Sequence, residues 1–111
     1  DHALFRRGLV SLLSDMGDFT VCAEAGNGKD ALPLIEKLNP DIILMDVNMP
    51  VMDGVQALEA VRKTRKDQKV IMLTISQNDD DLIRAISAGA NGYILKNAEP
   101  DDLHNTIIEV M

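Results

Sequence analysis

With 111 residues, the chain is long enough to bury one hydrophobic core and too short for two. Apolar residues make up 46% of it and charged residues 26%, an ordinary globular balance, and no apolar stretch approaches the roughly 20 residues needed to span a bilayer. The formal charge of -7 opposes non-specific contact with phosphate backbones, so proteins or cations are the expected partners. A single cysteine, Cys22, excludes an internal disulfide and suits a reducing compartment. It lies in an apolar run and reads as a small core residue. Neither histidine has a neighbour at zinc-ligand spacing.

In chain order, "HALFRRGLVSLLSDM" puts Leu4, Phe5, Leu9, Leu12, Leu13 and Met16 on one helical stripe. The segment "GDF" ends it, and "TVCAEA", residues 20 to 25, reads as a short strand. A second helix is expected from Lys29 to Leu38 after the Asn27-Gly28 turn, with Pro33 either kinking it or delaying its start. "DIILMD", 41 to 46, is nearly all apolar, the mark of a parallel strand covered on both faces. "KVIMLT", 69 to 74, and the shorter "GYILK", 92 to 96, are of the same kind.

Helical patterns fill the gaps. In "DGVQALEAVRKTRK" the residues Val55, Leu58 and Val61 share a face, with Asp53 expected as the N-cap. In "NDDDLIRAISAGA" the shared face is Leu82, Ile83 and Ile86, and Asp79, Asp80 and Asp81 suit the positive end of the helix dipole. "DDLHNTIIEVM" closes the chain with Leu103, Ile107 and Met111 at helical spacing. Alternating strands and helices with short connections give a doubly wound, open parallel sheet with helices on both faces. Such a domain normally begins with a strand and this chain begins with a helix, so a first strand is expected ahead of Asp1, outside the sequence given.

Open parallel sheets bind ligands beyond the carboxyl ends of their strands. Asp1, Asp46, Thr74 and Lys96 all fall at such ends. Each alone has an ordinary explanation: a turn or cap aspartate, a β-branched strand residue, a solvated lysine. As a set they are complementary. Two neighbouring carboxylates call for a cation, and all-oxygen ligation suits Mg²⁺. A carboxylate can also be phosphorylated, and Lys96 and Thr74 can then pair with the phosphoryl oxygens. Asp46, held between a buried strand and a short turn, is the best nucleophile of the four.

The stretches "DHALFRRGL", "DIILMDVNMPVMDG", "VIMLTIS", "AGANGYILK" and "DDLHNTI" closely resemble the receiver domain of bacterial two-component response regulators. Within that family the chain is most similar to the branch whose regulators carry a C-terminal helix-turn-helix DNA-binding domain of the NarL/LuxR kind. The resemblance covers all 111 residues. It implies a CheY-like, flavodoxin-like α/β fold with a five-stranded parallel sheet in the order 2-1-3-4-5, its central first strand preceding Asp1. It also implies a receiver domain over 1–111, cut short at its start and open to truncation at its end, with the effector domain absent.

Residue by residue, the resemblance implies that Asp46 accepts the phosphoryl group and that Asp1, Asp46 and the backbone carbonyl of Asn48 bind Mg²⁺. Thr74 would be the switch hydroxyl and Lys96 the lysine contacting the phosphoryl group. Tyr93 would be an aromatic that rotates inward as Thr74 moves, or else simply a buried ring. Asn48 and Ser76 would tune phosphate lifetime, and Pro50 and Gly54 would shape the loop after Asp46. Lys96 is followed by Asn97, where many receivers have proline.

The implied partners are a sensor histidine kinase, a DNA-binding output domain and a second copy of the chain, in the cytoplasm and away from membranes, with no direct nucleic-acid contact by this domain. The domain would catalyse its own phosphotransfer and dephosphorylation without turning over a metabolite. Two other readings stand beside this one. A pseudo-receiver would use the fold as a constitutive interaction module. An aspartyl-phosphate hydrolase would want a second acid two residues after the nucleophile, where this chain has Asn48. A nucleotide-binding fold is excluded by the lack of a glycine-rich phosphate loop after any strand.

Overall fold

Short apolar runs become parallel strands, buried on both faces, when helical crossovers separate them. The computed structural model of the chain, which describes residues 2–47, 52–74 and 79–111, is built this way. Its elements are α1 (His2–Met16), α2 (Gly28–Leu38), β1 (Ile42–Asp46), α3 (Gly54–Thr64), β2 (Lys69–Thr74), α4 (Asp79–Ser87), β3 (Gly92–Leu95) and α5 (Pro100–Val110). The strands form one parallel sheet in the order β1-β2-β3, with Asp46 in register with Leu73 and Thr74 with Leu95.

Side-chain alternation along β2 divides the interior in two. Val70 and Met72 join Met45, Val55, Leu58 and Val61 in the layer under α2 and α3. Ile71 and Leu73 join Leu13, Ile94, Leu103 and Ile107 in the layer under α1 and α5. Helices therefore cover both faces, as the alternating pattern requires. Leu58, Val70, Ile71 and Met72 have no exposed surface at all.

The five-stranded order does not hold among the described residues, which carry three strands. Residues 20 to 25, expected as a strand, are irregular. A strand exists by virtue of its ladder partner, which must lie about 4.8 Å away. Here a cavity of about 630 Å³ separates this segment from β1, with Val21, Ala23, Ile42 and Leu44 in its lining. Cys22 within it is exposed, where a core position was expected.

Helix α2 does not start late. It runs from Gly28 through the proline to Leu38, because the Asn27 side chain accepts a hydrogen bond from Asp30 N at 2.8 Å and caps its first turn. Three expected core residues are instead exposed: Leu4 of α1, and Ile83 and Ile86 of α4, where Ala85 is buried. Met111, just beyond α5, is exposed as well. Apolar periodicity locates a helix and its apolar stripe, but how far the helix is rotated toward the sheet depends on what it packs against. No described helix is long and apolar enough to cross a membrane.

Candidate functional site

Asp46 is the last residue of β1, and Val47 and Gly54 beyond it are tied to the sheet and to each other. Val47 N donates to Leu73 O at 2.9 Å, extending the ladder by one bond, and Gly54 N donates to Val47 O at 2.9 Å. This brings the first turn of α3 onto the backbone of Asp46. A Cβ on Gly54 would lie 2.0 Å from the Asp46 carbonyl oxygen and 2.9 Å from Met72 Cε, so only glycine fits there. The helix is fixed at this point by a capping box. Asp53 Oδ1 accepts from Gln56 N at 2.8 Å, and Gln56 Oε1 accepts from Asp53 N at 3.1 Å. The expected N-cap role of Asp53 is observed, and Gly54 shapes this corner by letting two backbones touch.

Lys96 follows β3, with its backbone N–H donating to Thr74 O at 2.8 Å. That bond aligns the ends of β2 and β3. From there the Lys96 side chain reaches across the end of the sheet, and its Nζ donates to Asp46 Oδ2. The two side chains are 11% and 15% exposed, so this is a largely desolvated ion pair and not a surface contact. Removing two charges from water in this way requires close pairing. Thr74 lies 4% exposed at the end of β2, between the strands that bear the two charges. Asp46, Thr74 and Lys96, which the sequence singled out as strand-end groups, therefore meet on one edge of the sheet.

The other expected site residues are distributed differently. Asp1, Asn48, Pro50 and Ser76 lie outside the described residues. Tyr93, on β3, is 47% exposed, so burial of its ring is not what accounts for its position. Among the described residues no group of three or more histidine, cysteine, aspartate or glutamate side chains is placed to hold a metal ion. Two contacts had no separate sequence signal. Arg84 of α4 pairs with Asp53 Oδ2 at 3.2 Å, tying α4 to the capped start of α3. The Lys96 ammonium lies 4.8 Å from the ring centroid of Phe5, a residue that in sequence is only one more member of the α1 apolar stripe.

A partly buried carboxylate is thus opposed by a lysine and flanked by a buried threonine at the carboxyl edge of a parallel sheet, the edge at which open parallel sheets bind ligands. Comparison with known proteins supplies the family. The response regulator receiver domain family matches residues 1–108. The chain belongs to that family. It is 40% identical to the nitrate/nitrite response regulator NarL of Escherichia coli over 103 residues, 93% of this chain and 48% of that protein. It is 42% identical to the response regulator VraR of Staphylococcus saprophyticus over 107 residues, 96% of this chain and 51% of that protein. The receiver thus spans about half the length of each.

Among solved structures, a DNA-binding response regulator of the LuxR family from Staphylococcus aureus superimposes with a TM-score of 0.92 at 34% identity, covering 99% of this chain and 92% of that one. A LuxR-family two-component response regulator from an Aurantimonas species gives 0.92 at 29% identity, covering 99% and 79%. The chain is a receiver domain of the NarL/LuxR-like kind, the phosphorylation-based part of a two-component regulatory switch. Its fold is the CheY-like α/β receiver fold.

Proposed function

We propose that Asp46 is the phosphoacceptor of this receiver and that the phosphohistidine of a sensor histidine kinase is the donor. A carboxylate oxygen of Asp46 attacks phosphorus as the nitrogen–phosphorus bond breaks, and the electron pair leaves on the imidazole. Hydrolysis of the acyl phosphate returns Asp46 and releases inorganic phosphate. Lys96 follows its charge partner from the Asp46 carboxylate to a phosphoryl oxygen, and the Thr74 hydroxyl donates to another. The observation that carries this reading is the Asp46–Lys96 pair, which joins residues 50 apart in sequence in a nearly dry setting at the ligand-binding edge of the sheet.

The donors assigned to Mg²⁺ are the carboxylates of Asp46 and Asp1 and the backbone carbonyl of Asn48. All are hard oxygens, and the largely buried Asp46 carboxylate at its strand end suits an ion that retains several waters and takes one or two carboxylates. When bound, Mg²⁺ neutralises charge on the transferring phosphoryl group. Asn48 and Ser76 tune the lifetime of the acyl phosphate, and Pro50 and Gly54 shape the path of the chain after Asp46.

The output runs through Thr74 and Tyr93 to the surface formed by α4, β3 and α5. Exposed Ile83, Ile86, Tyr93 and Ile108 lie on these elements, which supports a surface that changes partner. The partners are a second copy of the chain or a C-terminal helix-turn-helix DNA-binding domain, in the cytoplasm. The deciding experiment is intact-mass analysis after incubating the full-length protein with acetyl phosphate and Mg²⁺, beside Asp46→Asn. The expected result is a Mg²⁺-dependent phosphoryl adduct that the substitution abolishes. No adduct from acetyl phosphate or from the cognate kinase would leave a constitutive interaction module as the better reading.

A further inference from the structure

We propose that Phe5 is a positioning residue for Lys96: its ring holds the lysine ammonium at the phosphoryl-transfer site by a cation–π contact. The inference rests on the reading of Asp46 as phosphoacceptor and adds a residue from α1 to that site. Three observations carry it. The Lys96 Nζ lies 4.8 Å from the Phe5 ring centroid, inside the distance over which a ring face attracts a cation. The Lys96 side chain is 11% exposed, so its charge depends on protein groups more than on water. Finally, a cavity of about 220 Å³ adjoins the pair, with Phe5, Leu9, Leu73, Lys96 and Leu103 in its lining.

The cavity shows why a ring matters here. A lysine has a flexible four-carbon stem, and beside a void it has room to move away from the sheet edge. Asp46 holds the ammonium through its carboxylate. During phosphoryl transfer that carboxylate becomes an acyl phosphate, so the lysine must change its oxygen partner. The Phe5 ring offers an attraction that does not change with phosphorylation and keeps the ammonium in reach of both forms. Leucine at this position would fill part of the space but supply no attracting face. Tyrosine would keep both.

Two measurements on the full-length protein test this. In proton–carbon NMR, the Lys96 methylene next to the ammonium should lie upfield of the other lysines because of the ring current. It should stay there in Phe5→Tyr and return to the common lysine position in Phe5→Leu. A Lys96 signal at the common position in the unaltered protein would overturn the proposal, whatever the outcome of phosphorylation experiments.

The rate of acyl-phosphate formation from acetyl phosphate should fall roughly 3- to 20-fold in Phe5→Leu and recover in Phe5→Tyr. In a Lys96→Gln background, Phe5→Leu should cause no further loss. Equal rates for the unaltered protein and Phe5→Leu, or an equal loss in both backgrounds, would sink a positioning role through Lys96. If the unaltered protein forms no adduct that depends on Asp46, the phosphoacceptor reading fails instead, and the NMR signal still decides whether the ring holds the lysine.

Discussion

The two ends of the sheet use their polar side chains in opposite ways. At the amino end, Arg62 of α3 makes five hydrogen bonds, to Gly89 O twice, to Arg65 O, to Gln68 O and to Asn91 Oδ1. Asn91 Oδ1 also accepts from Val70 N at 2.9 Å, which ties the cluster to β2. All of its acceptors are neutral oxygens, and most belong to the backbone of turns. At the carboxyl end, Asp46 and Lys96 meet through side chains alone, each on the end of a different strand and each charged. A cation satisfied by fixed backbone carbonyls has nothing to exchange. A cation satisfied by a carboxylate can follow its charge when that carboxylate is modified. Polar density therefore does not mark the site; the capacity to change partner does.

Four substitutions probe that distinction. The largest effect is expected from Asp46→Asn, which should abolish the Mg²⁺-dependent phosphoryl adduct in intact-mass analysis while circular dichroism stays that of a folded domain. An adduct surviving on another residue would move the chemistry away from the carboxyl end as described. Gly54→Ala should come next. Its methyl group would meet the Asp46 carbonyl at 2.0 Å, and equilibrium urea unfolding should show a loss of about 3 kcal/mol or more. A loss under about 1 kcal/mol would mean that α3 moves off β1 easily.

Arg62→Ala should cost about 2 to 3 kcal/mol, because it leaves turn carbonyls without their donor. The phosphorylation rate of the folded protein should nevertheless stay within about twofold of normal. A large fall in that rate would break the contrast between the two ends. The smallest effect should come from Arg84→Ala. Its pair with Asp53 has side chains 49% and 30% exposed, so solvent screening limits the change in stability to roughly 0.5 kcal/mol or less.

Much of the carboxyl end was legible in the sequence. Asp46, Thr74 and Lys96 each end an apolar strand-like run, and parallel strands must bring such ends to one edge. Asp53 was readable as a cap because capping is a local interaction with residues three positions on. The Arg62 cluster was not readable, since its acceptors at Gln68, Gly89 and Asn91 lie in turns that meet only after β2 and β3 have paired. Phe5 was seen only as part of an apolar stripe, and its place beside Lys96 depends on where α1 packs.

The sequence by itself therefore determined the five helices, the three paired strands and the polar residues at the ends of those strands. Those follow from periodicity and from interactions within a few residues, which are set before any long-range contact forms. Tertiary structure alone decided the rest. It left residues 20 to 25 irregular, because a strand needs a partner at hydrogen-bonding distance and the segment has none among the described residues. It turned Ile83 and Ile86 of α4 outward and buried Ala85, because rotation of a helix about its own axis is chosen by the surface it meets.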